Sequence, residues 1–489
     1  MEPEAKPGPG QLAPASLFSL ISRHGDKLLA VVPFVYLVWV VARYGVAVPF
    51  WDQWDLVPLL DKMYGGNLAF SEVWAQHNEH RPMVPQVIML GLARLTGWNI
   101  RYELGVNVAL ALGMFAVLAG QIRATGRTLA VAGLRWAIPA ASLIVFSISQ
   151  YQNWLWGWQI QMLLNMLAVV GGIVLLAQPA FAWRRFAAAA LLGIVATYSF
   201  ANGVLFWPIG LGILLVVTRR RSEKKAAIAA WLLVSLLTLG SYFWHYQKPA
   251  EHPPVSLIFK MPLAYAGYVL KYLGSICAQY ATGAATGDGD LALAFGLLGT
   301  AALGWAATRL VWRNRARFRV LLPYFALSAY SIGTALMTGV GRVGFGTDQA
   351  LANRYCTTVV PLWVSLIVFL ALLAQRGHPA ADAGSGQQQP RGRPEDYSPV
   401  VAGWLLMGAT ALLAVSSICA TEGAGFMSRV QECGRLSLLD LAAHPAAGID
   451  YNGLSALGPR TDRLVERYPV LVQRRLSVFG QGPDTDWRK

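Results

Sequence analysis

Long apolar runs alternate with short polar segments along the chain from Leu28 to Cys419. Many of these runs reach the roughly 20 residues that an α-helix needs to cross a hydrocarbon core of about 30 Å. Within each run the apolar residues are continuous and do not alternate with polar ones, which is typical of membrane helices. The pattern therefore predicts an all-α polytopic membrane protein.

The lengths of the runs predict about eleven membrane-spanning helices. We place them near 28–47, 102–122, 128–148, 159–177, 186–200, 203–218, 226–246, 290–311, 319–339, 356–375 and 399–419. Two other apolar segments, 83–96 and 262–280, are short or are interrupted by Arg94 and Lys271. We expect both to lie as helices in the outer membrane interface, where charged side chains can reach water.

Basic residues cluster in the polar segments between the apolar runs. Lysine and arginine in short loops favour the cytoplasmic side of a membrane. Such clusters lie at 123–135, 184–185, 219–225, 309–319 and 376–393. We therefore expect a multi-pass protein of the bacterial inner membrane with its N-terminus in the cytoplasm and its C-terminus outside.

Composition supports the membrane location. Only 13% of the 489 residues are charged and 55% are hydrophobic, whereas charged residues make up about 25% of an average soluble chain. The net charge of +15 follows from the cytoplasmic clusters. We therefore expect the lipid bilayer as a partner and no nucleic acid.

The same pattern divides the chain into six parts. These are a cytoplasmic segment (1–27), an N-terminal membrane module (28–220) with an outer loop at 48–101, C-terminal membrane helices (221–376) with an outer loop at 339–355, a disordered cytoplasmic linker (377–398), a last span (399–419) and a small extracytoplasmic cap (420–489). The linker is predicted to be disordered because it is rich in Gly, Pro, Gln and Ala.

The first outer loop carries the densest set of polar groups. Asp52 and Asp55 are three residues apart and would share one face of a helix. Further candidates for substrate binding in this loop are His77, Glu79, His80 and Arg81. Two carboxylates can deprotonate an acceptor hydroxyl or amine, or hold a divalent cation together with the later acidic and histidine side chains. The alternative is an interfacial loop with solvated acids and tryptophans in the membrane belt.

No metal is assigned from the sequence, although a divalent cation is possible. The segment HNEH at 77–80 differs from the HExxH zinc motif, because its histidines are three residues apart and no third ligand is evident. The cysteines Cys277, Cys356, Cys419 and Cys433 show no metal-binding spacing. A Cys419–Cys433 disulfide is an alternative on the oxidising side of the membrane.

The second outer loop, GVGRVGFGTDQALANRY at 339–355, combines glycines with two arginines. Its backbone N–H groups can approach an anion, and Arg342 and Arg354 offer paired donors that suit a phosphate. Asp348 and Tyr355 are further substrate-binding candidates in this loop. The alternative is a flexible loop whose arginines meet lipid headgroups.

A third polar segment, SQYQNWLWGWQIQ at 149–161, carries three tryptophans and four glutamines but no acid. Aromatic planes and amide side chains suit the faces and hydroxyls of a sugar, and Trp156 is the candidate we single out. Tryptophan is equally suited to the membrane belt. Lys271 is a weaker substrate-binding candidate, since lone polar residues at helix ends usually only place a polar group in the membrane interface.

The order of elements after the first span resembles the GT-C membrane glycosyltransferases. It is an acidic pair, a short helix, a Gly-Asn turn, a basic residue with prolines and an interfacial helix that ends in a Thr-Gly turn. The matching elements are Asp52 with Asp55, 65–68, 79–85 and 94–98. The layout is most similar to the lipid A aminoarabinose transferase and protein mannosyltransferase group, over roughly the first 220 residues.

This resemblance implies an enzyme that passes a sugar from a polyprenyl-phosphate donor, with inversion, to a glycan or lipid acceptor outside the membrane. Asp52 would be the base, since it directly follows the aromatic end of the first span, and Asp55 is the second choice. Arg342 and Arg354 would neutralise the leaving lipid phosphate. Many relatives carry a second acid after the third helix, where this chain has glutamines, which weakens the case for a metal-dependent variant.

Three other functions stay open. A flippase or transporter for lipid-linked sugars would carry charged residues deep in several spans and inverted repeats, and neither is evident. A polymerase or ligase for lipid-linked glycans would use a long outer loop with arginines, which 339–355 fits in part. A scaffolding membrane protein is the third.

Overall fold

The structure is a computed structural model that describes residues 17–218, 220–279, 288–312, 315–375, 398–445 and 448–480. In these ranges the chain is helical and contains no β-strand. The predicted linker lies outside the described residues except for Ser398, and so does the segment 1–16 of the predicted N-terminal part.

Nineteen α-helices follow one another in the described ranges. They are α1 Leu17–Tyr44, α2 Val57–Gly65, α3 Phe70–Val73, α4 Met83–Thr96, α5 Ile100–Thr128, α6 Ala137–Val145, α7 Tyr151–Leu155, α8 Ile160–Leu176, α9 Trp183–Thr197, α10 Phe206–Val217, α11 Arg221–Phe243, α12 Leu257–Lys260, α13 Pro262–Gly274, α14 Gly289–Val311, α15 Arg315–Arg342, α16 Cys356–Ala374, α17 Ser398–Ala443, α18 Tyr451–Ser455 and α19 Thr461–Arg474. Short 3₁₀ turns join several of them, among them Trp51–Leu56, Gly157–Gln159 and Ala201–Leu205.

Nine helical stretches in the described ranges are long and apolar enough to cross a membrane. They are His24–Tyr44, Ile100–Thr128, Ala132–Leu155, Gly157–Leu176, Arg221–Phe243, Gly289–Val311, Ala316–Phe345, Asn353–Ala374 and Ser398–Ala443. The predicted fold class, an all-α polytopic membrane protein, is therefore confirmed.

The count of eleven spans stays a prediction. The spans expected at 186–200 and 203–218 correspond to Trp183–Thr197 and Ala201–Val217. Both are shorter than the roughly 20 residues that a span requires. The interfacial segment predicted at 83–96 forms α4 with the same bounds.

Helix α16 lies at the centre of the bundle. It carries no charged residue from Cys356 to Ala374, and a helix that is apolar on every side is buried. It packs against α6, α8, α14, α15 and α17. The Trp363 indole N–H also donates to the Leu273 carbonyl oxygen at 2.9 Å, which joins this central helix to the end of α13.

Helix α17 does not end at the predicted boundary of the last span. It continues as one helix of 46 residues from Ser398 to Ala443, which is about 69 Å at 1.5 Å per residue. Cys419 and Cys433 therefore lie on one helix about 21 Å apart, far beyond the separation of a disulfide. A bond between these two thiols within the chain is excluded, and both are free.

The last described segment folds back onto the first outer loop. The Trp51 N–H donates to the Leu457 carbonyl oxygen at 2.7 Å, and the Ser477 N–H donates to the Gly97 carbonyl oxygen at 2.8 Å. We call 449–480 the C-terminal cap. It covers the turn that carries Asp52, at the end of the bundle where the charge pattern predicts the outer face.

Candidate functional site

A cavity of about 520 Å³ lies at the end of the bundle that the C-terminal cap covers. Eight of the residues singled out in the sequence line it: Asp52, His77, Glu79, His80, Trp156, Arg342, Arg354 and Tyr355. The three polar loops of the sequence therefore meet around one cavity. A fourth segment, 244–256 after α11, completes the lining with Lys248 and His252.

The other four residues singled out in the sequence do not line this cavity. Lys271 donates to the Asp348 carboxylate at 2.6 Å and to the Thr347 hydroxyl at 3.1 Å. Its charge is thus neutralised by the second outer loop, and the pair joins this loop to α13. Asp55 and Arg81 lie beside the cavity wall. Asp55 pairs with His77, and Arg81 donates to backbone carbonyl oxygens.

Arg81 holds two segments together through backbone carbonyl groups. Its buried guanidinium donates to the carbonyl oxygens of Tyr242 at 2.6 Å, Trp74 at 3.1 Å and Trp244 at 2.5 Å. No acidic side chain in the described residues pairs with it. The arrangement joins the first outer loop to the end of α11 and uses the donors that a substrate would otherwise need.

The turn that carries Asp52 is strained and is fixed from several sides. Trp51 has a positive φ of 51°, a left-handed conformation that bulky residues rarely adopt and that costs of order 1 kcal/mol. Phe50 donates its N–H to Gln53 Oε1 at 3.1 Å and accepts the Trp156 indole N–H at 2.8 Å. Gln53 in turn donates to Glu103 Oε2 at 2.6 Å. These bonds, with the bond from Trp51 to the C-terminal cap, set the direction of the Asp52 side chain.

The Asp52 carboxyl group faces the cavity without a direct partner. No hydrogen bond from the described part of the chain reaches it. Burial raises its pKa above the ordinary value, while the nearby charges of His77 and Arg354 lower it in part. A desolvated carboxylate that accepts no protein hydrogen bond is a stronger base than a solvated one.

Asp55 is held as an anion. Burial by itself would raise its pKa, but hydrogen bonds from His77 Nε2 at 2.9 Å and Arg467 at 2.5 Å lower the pKa to about 2. Arg463 lies 3.5 Å from the same carboxylate. Two arginines of α19 and one histidine thus contact its oxygens, and Asp55 is an ion-paired carboxylate that orients His77.

His77 lies between the two aspartates. Burial alone would lower its pKa, but the hydrogen bond to Asp55 and the charge of Asp52 raise it. Its ring also packs against Trp158, with 4.9 Å between the ring centroids. The charge that His77 carries when its ring is protonated lowers the pKa of Asp52 and favours the ionised form of that carboxyl group.

The same three side chains could hold one divalent cation. Ligand atoms of Asp52, Asp55 and His77 all lie within 4.8 Å of one another. Two carboxylate oxygens and an imidazole nitrogen suit Mn²⁺ or Zn²⁺. Binding would require His77 to lose its proton and would compete with the arginines that pair with Asp55.

Glu79 is the centre of a second charged cluster. Its carboxylate pairs with Arg342 and lies 3.6 Å from His80 Nε2 and 3.5 Å from His252 Nε2. Burial would raise the pKa of Glu79, but the contacts with His80 and Arg342 hold it at about 2. The charge of Arg342 is thus already neutralised within the protein.

His80 is a neutral member of this cluster at pH 7. Burial lowers its pKa to about 4, and its ring stacks on Phe200 with 4.3 Å between the centroids. Nδ1 accepts a hydrogen bond from the Ala201 N–H at 3.1 Å. The proton of the neutral ring therefore resides on Nε2, which points towards Glu79.

Two cations of the cavity have no acidic partner among the described residues. Arg354 lies over the Tyr355 ring, with 5.1 Å from its guanidinium carbon to the ring centroid. Its carbonyl oxygen accepts a hydrogen bond from Asn153 at 2.9 Å. Lys248 donates to the Pro253 carbonyl oxygen at 2.6 Å. Both side chains line the cavity, so they can bind an anion.

Several residues of this site were not expected from the sequence. They are Lys248 and His252 in the fourth segment, Asn202 in the turn before α10, Gln53 and Glu103 below Asp52, and Arg463 and Arg467 in the C-terminal cap. The spacing of the two arginines, four apart in a helical pattern, was the one usable signal, because it places both on one helix face. The others come into contact only through the tertiary fold.

Comparison with protein-family models, with curated proteins and with solved structures found no match to this chain.

Proposed function

We propose that this protein is an integral-membrane glycosyltransferase that uses a polyprenyl-phosphate sugar and a glycan or lipid acceptor. One observation carries the proposal: Asp52 and Arg354 line the same cavity, and in the described part of the chain the first accepts no hydrogen bond and the second has no acidic partner. Transfer of a sugar from a lipid phosphate needs a base for the acceptor and a cation for the leaving phosphate. The layout similar to GT-C enzymes in the first part of the chain supports the same proposal.

In this mechanism Asp52 accepts the proton of the acceptor hydroxyl or amine as that group attacks the anomeric carbon. The bond from this carbon to the phosphate oxygen breaks on the opposite face, so the configuration inverts. Arg354, with Lys248, stabilises the negative charge on the released lipid phosphate. Asp55 holds His77 beside the base, where the charge of His77 favours the carboxylate form, and Glu79 holds Arg342 in place.

The proposed location follows from the charge pattern of the chain. Basic clusters at the opposite ends of the helices favour the cytoplasm, so the cavity would open on the extracytoplasmic face of a bacterial inner membrane. A lipid-linked donor would reach it from the bilayer with its polyprenyl chain still in the hydrocarbon.

The test is transfer of labelled sugar from a panel of polyprenyl-phosphate donors in proteoliposomes. We expect transfer by the wild type and a loss of about a hundredfold or more in Asp52→Asn, because general-base catalysis contributes roughly 10²- to 10⁴-fold. Asp61→Asn is the matched control. Asp61 is a half-exposed acid in the same loop that pairs with Arg474 outside the cavity, so this variant should keep the wild-type rate.

Two results would contradict the proposal. The first is an Asp52→Asn protein that transfers sugar at the wild-type rate. The second is a wild type that moves labelled lipid-linked sugar across the bilayer without transferring it, which would favour the flippase. A monodisperse gel-filtration profile of each variant verifies that it is folded.

A further inference from the structure

Three buried carboxamide side chains line the cavity without any hydrogen bond. Gln159, Gln161 and Asn202 are only 1%, 5% and 4% exposed, and all three belong to the cavity wall. Gln159 Oε1, Gln161 Oε1 and Asn202 Nδ2 are fully enclosed and have no partner. Within the described residues none of the three amide groups makes a side-chain hydrogen bond.

Such groups are uncommon in folded proteins. The great majority of buried polar side-chain atoms are hydrogen-bonded, because a group that leaves water without a new partner destabilises the fold. Apart from Gln86, which lies outside the cavity wall, the other buried amides of the described residues each make at least one side-chain hydrogen bond. Asn165, for example, donates to the Ala196 carbonyl oxygen at 3.0 Å and accepts from the Tyr330 hydroxyl at 2.7 Å. Three exceptions around one cavity indicate that their partners belong to a ligand.

The chemistry of the amides limits the kind of ligand. A carboxamide carries both a donor and an acceptor, so the conclusion does not depend on how its oxygen and nitrogen are assigned. Glu79 adds one more enclosed oxygen, Oε2, without a hydrogen bond. A hydroxyl can donate to these oxygens and also accept from an amide N–H, so a hydroxylated ligand satisfies both kinds of atom. Trp156 and Trp158 in the same wall offer the aromatic faces that suit a sugar ring.

The segment that carries two of the amides lies next to the proposed phosphate site at Arg354. Gln159 lies in the segment 149–161, and Asn153 of this same segment bonds the Arg354 backbone at 2.9 Å. Arg354, which has no acidic partner among the described residues, would hold the donor phosphate. A sugar attached to a phosphate at Arg354 would therefore be next to the segment that presents Gln159 and Gln161.

We infer that Gln159, Gln161 and Asn202 form a subsite that binds the hydroxyl groups of the donor sugar. This inference rests on the proposed function and adds the recognition of a neutral, hydroxylated monosaccharide. Different residues of the cavity thus bind the two parts of the donor. The amides bind the sugar, and Arg354 with Lys248 binds the phosphate.

The test compares binding of bare polyprenyl phosphate with binding of polyprenyl-phosphate glucose, mannose and arabinose to the full-length protein in nanodiscs. The wild type should bind at least one glycosylated lipid more tightly than the bare lipid. Gln159→Met and Gln161→Met, which nearly keep the shape of the side chain, should each weaken binding of that lipid by roughly tenfold. Binding of bare polyprenyl phosphate should stay within about twofold of the wild type.

Gln152→Met is the matched control. Gln152 lies in the same segment and also has an enclosed Oε1 without a partner, but it is not part of the cavity wall. This variant should bind both lipids like the wild type. Equal weakening for both lipids, no weakening for either, or the same loss in Gln152→Met would overturn the subsite.

Failure of the subsite and failure of the proposed function give different results. A wild type that prefers a glycosylated lipid but transfers no sugar, with the preference lost in Gln159→Met, supports the subsite and contradicts the transferase. A wild type that transfers sugar while Gln159→Met and Gln161→Met keep the full preference contradicts the subsite alone.

Discussion

Arg467 of the C-terminal cap donates a 2.5 Å hydrogen bond to the carboxylate of Asp55, from which it is separated by 412 residues of chain. The same guanidinium nitrogen donates to the Trp54 carbonyl oxygen at 3.0 Å. Asp55 bonds His77, and His77 lies beside Asp52. The end of the chain is thus connected to the proposed base through two intermediate side chains.

This connection predicts that Arg467 is a positioning residue. Arg467→Gln leaves the partly buried Asp55 with one fewer charged partner, and we expect the transfer rate to fall about tenfold, because charge-assisted bonds contribute roughly 1.5–3 kcal/mol. The rate should be measured with the donor that the wild type uses. Arg474→Gln, which removes an exposed pair with Asp61, is the control and should change little. An equal loss in both variants would contradict the positioning role.

We expect the two arginines of the second outer loop to differ in how much each contributes to phosphate binding. Arg354 has no acidic partner in the described residues, so Arg354→Gln should weaken binding of bare polyprenyl phosphate by tenfold or more. Arg342 is paired with Glu79, so Arg342→Gln should change this affinity less. It should instead lower the unfolding temperature, because it leaves a buried carboxylate without its charged partner. The opposite order of affinities would show that Arg342 is the phosphate ligand.

Acid should destabilise the fold through His80. Its pKa is about 4 in the folded chain and about 6.5 in an unfolded one, so the unfolded state binds the proton more readily. The stabilisation is complete above pH 6.5 and is lost as the pH falls from about 6.5 to 4, by an amount of about 3 kcal/mol.

The measurement is the thermal unfolding midpoint in detergent at pH 7.5, 5.5 and 4. The wild type should lose more stability over this range than His80→Asn, which cannot be protonated and whose Oδ1 takes the place of Nδ1 as the acceptor of the Ala201 N–H. Two parallel curves would argue against the buried, neutral state of His80.

Chelation tests the candidate cation site. Asp55 is already paired with Arg467, and the hydrogen bond to Asp55 raises the pKa of His77, which disfavours the neutral ring that a metal needs. We therefore expect transfer in excess EDTA to stay within about twofold of the rate without chelator. If EDTA abolishes transfer and Mn²⁺ restores it, a metal is part of the reaction, and Asp52, Asp55 and His77 are the ligands to vary first.

Much of the architecture could be predicted from the sequence, because membrane helices depend on local composition. The helix predicted at 83–96 begins at Met83 and ends at Thr96 in the structure, since Pro82 directly precedes it and Gly97 follows it with a positive φ of 64°. The length of α17 was underestimated, because its apolar pattern ends near Cys419 while small and polar residues continue the helix by packing against neighbours. Gly423, for example, lies directly against Tyr151.

By itself the sequence determined the all-α membrane class, the basic loops and the three polar segments, since each depends on residues that are close in the chain. Only the tertiary structure decided which of these side chains face one cavity. It gave Arg342 and Asp55 charged partners, Glu79 and Arg467, that Arg354 and Asp52 lack in the described part of the chain. The charge state of each group depends on its burial and on partners hundreds of residues away. The sequence contains those partners but does not reveal which of them come into contact.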